Sequence, residues 1–512
     1  MTVFTRLLST TALLGLAPQA FAAVTPEDVW ASQITLYEAT GAEVSATLAR
    51  NGASLAVSDI RINYVLPFSL GNVAVDMGGM TLIDNGDGSV TLDYATDSQL
   101  SIDGSITIEG DTLTFGATLD LGLTDFTGMA TGDPADVTLE QSAGMTEITL
   151  VSLYADEVPE LDDIDITMYV AVSDSQSTTR LQDGDMLTVT SSGTAGQTVT
   201  DFSISIPDIG MVTQSVNAFS GTASEVSLTI PGTPINIMDL SQALRDGLSL
   251  SVSNTTTGAQ AQNVTMMDGA LMSDQSQSTG MSTQTLSMDQ TGLKLGGEAS
   301  DASVNLSQPE MIAFPISIAI ADVGFNMGLP VNQGDQPQDM ALGVSLAGLT
   351  VNDEIWDLFD AGNTLPRDPA TISYAFDGSV LLKTDLMDFE TLIPMLEDEQ
   401  IPFELQRLTL SNILLAAVGA QFSGFGDFTF DNSDLVTFGG LPRPQGEATF
   451  ELTGANALMD KLAAMGLIPA EELAMPRMMM GMFAQAVGDD QYRSTVVIDA
   501  QGGITANGVP LQ

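Results

Sequence analysis

A chain of 512 residues carrying 66 Asp and Glu, 13 Lys and Arg and a formal charge of −53 cannot offer the clustered cations that phosphate backbones require, so nucleic acid is excluded as a partner. It has no histidine and no cysteine, which removes structural zinc, disulfides, thiol catalysis, His-ligated haem and Ser-His-Asp triads. No cofactor is expected, and a core must hold the fold.

The first 22 residues read as a cleaved signal peptide: Arg6, an apolar run from Leu7 to Ala17, and Ala20-Phe21-Ala22 as a small-x-small cleavage site. The mature chain is expected to start at Ala23 or Val24 and to be exported to the periplasm, with no further stretch of transmembrane length. Thr25-Pro26-Glu27-Asp28 predicts a helix start, and Trp30, Ile34 and Tyr37 share a face until Gly41 ends it. From Glu43 to about Thr233 the period is two, as in Leu113, Phe115, Ala117, Leu119 and Leu121. Such strands have one buried face and belong to antiparallel meanders, with hairpins predicted at Asp103-Gly104, Glu109-Gly110 and Asp183-Gly184. Asp84 to Ser89 fails as an EF-hand, because Gly86 and Gly88 occupy ligand positions, and reads as a turn.

Ile237, Leu240 and Leu244 predict a helix over Asn236 to Gly247 that divides an N-terminal lobe, 23–235, from a C-terminal lobe, 236–512. The two lobes also fit one continuous domain. The Ser, Thr, Gln and Met-rich passage from Asn254 to Gly297 reads as polar-faced strands joined by mobile turns, a flexible linker being the alternative. Strand signals follow at 314–320 and 342–346, then a helix at Asn352 to Asp360 with Ile355, Trp356 and Phe359. Pro366 to Pro369 turns the chain, Ile372, Tyr374 and Phe376 lead to a hairpin at Asp377-Gly378, and Asp388 to Met395 opens another helical turn.

Phe428, Phe430, Phe450 and Leu452 sit at strand spacing ahead of a helical hairpin at 454–484. Its first helix carries Leu458, Leu462 and Met465 on one face, with Gly466 as its cap. Pro469 opens the second, Pro476 kinks or restarts it, and Met475, Met478, Met479, Met480, Met482 and Phe483 close it. Thioethers suit Cu(I), but Met479, Met482 and Phe483 at i, i+3 and i+4 read as a core face. Leu458, Leu462, Met465, Met475, Met479 and Met482 are the candidate site, either a plug on the sheet or a lid over an apolar groove. A Gln501 to Gly503 turn and a last strand at Ile504 to Val509 end the chain.

Adjacent acids at Asp162-Asp163, Glu471-Glu472 and Asp489-Asp490 read as solvated turns, since a glycosidase cleft wants aromatic walls and the chain has two Trp and seven Tyr. Low aromatic content likewise argues against an outer-membrane barrel. No serine stands three residues before Lys294, Lys383 or Lys461, so a Ser-Lys dyad of that spacing is absent.

Val24 to Trp30, Asn352 to Phe359, Leu365 to Thr371, Phe428 to Asp434 with Phe438-Gly439-Gly440, and Lys461 to Pro469 resemble successive blocks of a secreted bacterial family named domain of unknown function 2125. That resemblance implies export and no stated activity. In architecture the chain is also similar to the long antiparallel sheets of AsmA-type envelope proteins, which implies an apolar groove for lipid. The expected fold is all-β or β-dominated, with long antiparallel strands in one extended or two stacked sheets and a few short helices. The expected function is a non-enzymatic envelope protein with lipid or another apolar ligand as partner and peripheral envelope contact. A structural scaffold is the alternative, and an enzyme of unfamiliar mechanism the further one. The oligomeric state is not specified.

Overall fold

The computed structural model describes residues 23–66, 70–108, 111–156, 163–233, 235–236 and 238–511. The leader, the Glu109-Gly110 turn, Asp162 and Ile237 lie outside them. Thr25 and Asp28 cap the first helix reciprocally: the Thr25 hydroxyl accepts from Asp28 N–H (3.3 Å) and the Asp28 carboxylate from Thr25 N–H (2.9 Å). Helix α1 (Pro26–Ala39) lies along β1 (Ala42–Asn51) and β2 (Ser54–Leu66), burying Val29 and Trp30 with Ile34 and Tyr37 beside them.

Next come β3 (Gly71–Met77), β4 (Met80–Asp84), β5 (Val90–Tyr94), β6 (Asp97–Ile108), β7 (Asp111–Thr124), β8 (Thr127–Asp133) and β9 (Asp136–Ala155). Then β10 (Asp165–Gln182), β11 (Met186–Ile206), β12 (Met211–Pro231), α2 (Ser241–Arg245), β13 (Ser249–Thr256), β14 (Gly258–Met267), β15 (Ala270–Thr279), β16 (Ser282–Asp289) and β17 (Gly292–Ser307) follow. They are succeeded by β18 (Ile316–Leu329), β19 (Gln338–Val351), α3 (Asp353–Asp360), β20 (Ala370–Leu382), α4 (Phe389–Glu397), β21 (Phe403–Ala417), β22 (Ala420–Asp431) and β23 (Arg443–Thr453). The chain closes with α5 (Ala455–Ala464), α6 (Ala474–Phe483), β24 (Gln485–Gly488), β25 (Gln491–Ile498), β26 (Ile504–Ala506) and β27 (Val509–Pro510).

Among the described residues 27 strands form one antiparallel sheet, so the β-dominated expectation holds and of its two forms the single sheet is the one realised. Five segment pairs are interrupted single strands: β2 pairs with both β3 and β4, β9 with β7 and β8, β12 with β13 and β14, and β17 with β15 and β16, while β5 and β6 continue one another opposite β4 and β3. The accessible surface, 29046 Å², compares with about 18000 Å² for a compact monomer of this size.

A crease crosses the sheet at these interruptions. Left-handed residues stand along it at Asp59 (φ 53°), Asp125 (φ 52°), Asp174 (φ 48°), Gly221 (φ 54°), Asp301 (φ 50°) and Gly348 (φ 72°). Such bulges are costly singly for residues with a side chain, but Asp tolerates the conformation better than most. Each shifts the alternation by one step. In β10 the covered side chains are Ile166, Met168 and Val170 before the crease and Ser177, Thr179 and Leu181 after it.

The core follows one edge. Leu55, Leu82, Leu92, Leu139, Leu181, Val189 and Ile230 are buried close to the same ends of their strands. Two long connections meet there and cap the edge, although five strands lie between β12 and β20. Leu240 N–H donates to Met387 O (2.9 Å), Phe389 N–H to Met238 O (2.8 Å) and Leu386 N–H to Val331 O (2.8 Å), and Arg245 pairs with Asp385. Ala243, Leu244, Leu248 and Val331 are buried beneath. The opposite edge, at the other ends of the strands, is called the far edge below.

Several local expectations are corrected. The helix over 236–247 shrinks to α2, because Asn236, Met238, Asp239 and Leu240 commit backbone groups to the cap and its turn. Asp103-Gly104 and Asp377-Gly378 lie within β6 and β20: a Cβ on Gly104 would meet the Phe115 ring at 2.3 Å, and one on Gly378 would meet Arg407 O at 2.6 Å. Those glycines make room rather than turns. The last strand is two, split by an Asn507-Gly508 turn. The polar passage is strand as expected, not linker, its hydroxyls paired across strands as in Thr256 with Ser282 (2.8 Å) and Ser278 with Ser303 (2.8 Å). The Asp84 to Ser89 turn spends its carboxylates on itself, Asp84 accepting from Gly86 N–H and Asp87 from Ser89 N–H.

The 432–442 connection is clamped by Arg443, which pairs with Asp431 and Asp434. The Ser433 hydroxyl and then the Arg443 guanidinium hold the Asp431 carboxyl down from 3.8 to about 2. A depressed carboxylate stabilises the fold fully above pH 3.8, and that contribution fades as pH falls toward 2. Carboxyl NMR titration is expected to place Asp431 near 2, and to move it upward in Arg443→Gln. A titration at the ordinary value in the native chain would show that the clamp does not form.

Candidate functional site

Across the half of the sheet next to the cap, one row of side chains is apolar on strand after strand. Val226, Val252, Leu286 and Leu295 stand opposite one another on β12, β13, β16 and β17. The row continues through Met327, Leu342, Phe376 and Leu410 on β18 to β21, then Gly426, Ala448 and Val496 on β22, β23 and β25. At strand spacing it runs about 50 Å along the sheet. A second row beside it holds Gly297, Phe325, Val344, Tyr374, Ile413, Gly424 and Phe450. Neither contains a charge.

The reverse face is polar. Asp377, Thr409, Asp427 and Glu447 are cross-strand neighbours there, with Arg407 paired to Asp427 and Arg493 to Glu451. Hydrogen bonds from Arg407 and then Thr409 keep the Asp427 carboxyl below the ordinary range. This asymmetry fixes which way each strand faces. Among the described residues no second sheet covers the apolar side, and Phe325 (48%), Leu342 (41%) and Leu415 (46%) remain exposed.

Where the crease meets these rows there is a shallow recess of about 300 Å³. Phe219 and Ala259 line it from the far side of the crease, Ala299, Val323 and Phe325 from the near side, and Asn254 and Gln284 supply its amides. Gly297 is required there, because a Cβ would come within 2.3 Å of the Phe325 ring. The recess shows that the covered sets on the two sides of the crease share one face of the sheet.

The helical hairpin rises from the far edge on this face. Asn456 Nδ2 donates to the Tyr492 hydroxyl (2.7 Å) and Ser494 Oγ to Phe483 O (2.6 Å), and Tyr492 and Ser494 stand opposite Leu452 and Phe450. Asp490 caps α5 from a distance, accepting from Asn456 N–H (3.0 Å) and Ala457 N–H (2.9 Å). Gly466 (φ 73°) ends that helix as expected, and α6 restarts two residues ahead of Pro476.

Leu458 and Leu462 on α5 and Met465 at its C-cap are half-buried, and α5 packs toward β22. Met475 (65%), Met479 (50%) and Met482 (49%) are exposed on α6, with Met478 on the same stripe. The core face read at Met479 and Met482 is thus corrected: α6 stands at the strand ends, touching β24 and the turn before it, and leaves both side chains about half exposed. The structure brings the two halves of the candidate site onto one hairpin but buries only the first. The apolar rows were missed by the sequence reading. Alternation marks them in each strand, but nothing in a single strand tells whether the apolar side is covered.

No protein-family model matches the chain, and no curated protein matches it. The likeness to the secreted family therefore rests on its residue blocks alone.

Proposed function

We propose that the protein is a non-enzymatic envelope protein that holds an elongated apolar ligand, of the lipid acyl-chain class, along the exposed face of β17 to β23. The observation that carries this reading is the unbroken, charge-free row from Val226 to Val496, half-buried over most of its length and exposed at Leu342, with no second sheet over it among the described residues and a polar reverse face behind it. An extended hydrocarbon chain matches such a surface because burial along the row gains roughly 25 cal/mol per Å² of apolar area without desolvating a charge. Asn254 and Gln284 at the recess give a head group hydrogen-bonding partners. The half-buried α5 and exposed α6 stand where a cover over one end of the row would stand.

Fluorescent fatty-acid titration tests it. Leu342→Glu puts a charge in mid-row at an exposed position, so its melting point should stay within a few degrees of the parent while probe affinity falls about tenfold or more. A native chain that binds no probe, or a variant that binds it equally well, would leave the scaffold reading in its place.

A further inference from the structure

The second apolar row does not stop at Gly297. Across β16, β13 and β12 it continues as Gln284, Asn254 and Ser224, each opposite the next. The row on its crease side changes at the same boundary, from Leu346, Val323 and Ala299 on β19, β18 and β17 to Ser282 and Thr256 on β16 and β13. Two neighbouring rows thus pass from hydrocarbon to amides and hydroxyls between the same two strands, which is the profile of one amphiphile laid across the sheet.

The polar end carries no charge. Lys294, Arg407, Arg443 and Arg493, the basic side chains of β12 to β25, all occupy the alternate positions that form the reverse face, as Lys294 does between Leu293 and Leu295. Glu298, at the margin of the recess, belongs to that face too, opposite Thr283 and Gly324. A carboxylate or phosphate seated at the polar end would lose its water without gaining a cation, in the field of a chain carrying −53. No carboxylate stands in the two rows to hold a quaternary ammonium either. What they offer is donors and acceptors. The Ser224 hydroxyl donates to Asn254 Oδ1 and leaves the amide Nδ2 to donate, and the Thr256 and Ser282 hydroxyls share a hydrogen bond of 2.8 Å. A hydroxyl-bearing head donates and accepts in return.

We infer, resting on the ligand reading above, that the bound amphiphile has an uncharged, hydroxyl-bearing head of the acylglycerol class. The head sits at Asn254, Gln284 and the Thr256 and Ser282 hydroxyls, and the chain runs over β17 to β23.

Titration of the full chain at physiological salt with three probes that share one fluorescent acyl chain tests it, their heads being a glycerol ester, a carboxylate and a quaternary ammonium. The glycerol ester should bind about tenfold or more tighter than either charged probe, and added salt should leave its affinity unchanged. Asn254→Ala with Gln284→Ala should remove most of that advantage. Gln284→Lys places a cation at an exposed position of the polar end, so it should tighten the carboxylate probe about tenfold while the melt stays within a few degrees of the parent. A carboxylate or ammonium probe that binds the parent as tightly as the ester overturns this head group. So does an undiminished preference in the double alanine variant, or a carboxylate affinity that Gln284→Lys leaves where it was. In those outcomes acyl chains still bind and the ligand reading stands, whereas a parent that binds none of the three probes removes both.

Discussion

Leu244→Ala is expected to cost about 2 to 5 kcal/mol and to loosen the capped edge ahead of the rest of the sheet. Leu244 has no exposed surface and sits in the cap with Ala243, Leu248 and Val331. A cavity there cannot collapse easily, because the backbone around it is held by the Leu240 to Met387 and Phe389 to Met238 hydrogen bonds. Urea denaturation gives the magnitude. Hydrogen exchange gives the place: the Leu240 and Phe389 amides should lose protection first, while amides of β23 and β25 keep theirs. A loss below about 1 kcal/mol, or one spread evenly over the sheet, would show that the cap adds little to stability.

Gly132→Ala should be comparably damaging, for a backbone reason. Gly132 has φ +115°, and a Cβ there would lie 2.0 Å from Asp136 O, inside the β8 to β9 ladder where Gly132 faces Val137. Strain of about 1 to 3 kcal/mol and forced displacement of similar size should both appear. Gly86→Ala is the matched comparison. It also has positive φ (77°), but open space surrounds it, so only the conformational cost of about 1 kcal/mol remains. Melting curves of the two variants separate steric from conformational loss, and equal shifts would contradict the close approach at Asp136.

Much of the fold was legible because local chemistry decided it. Thr25, Pro26 and Asp28 specify a helix start whatever lies around them, and Gly466 specifies a stop. Alternation along 113–121 marks a strand for the same reason. What could not be read was set by neighbours. Gly104 looks like a turn until the Phe115 ring is placed across it, and residues 236–240 look helical until Met387 and Phe389 claim hydrogen bonds with Leu240 and Met238 across the cap. The crease was hidden too, because a single left-handed Asp looks like any other Asp in a strand. At the candidate site, spacing puts Met479, Met482 and Phe483 on one helical face. Spacing alone does not tell whether a stripe faces protein or solvent, and that depended on where the hairpin left the sheet.

The sheet's strand order bears on how the molecule comes into being. Each strand pairs with strands close to it in the chain, so energetic coupling is nearly one-dimensional and successive hairpins can be added to a growing template as the polypeptide emerges. The exceptions are the ties across the cap, Arg245 to Asp385, 140 residues apart, with Leu240 to Met387 and Phe389 to Met238, which cannot close until β20 is in place. Residues 238–245 must therefore wait, half-assembled, through the addition of several strands, and that interval is where a misdocked neighbour could take their place. One edge of the sheet is formed by β26 and β27, three and two residues long, with Pro510 offering no N–H to a further strand. A template that lengthens by copying its own pairing rule needs such a terminator, or chains would add to one another as readily as strands do.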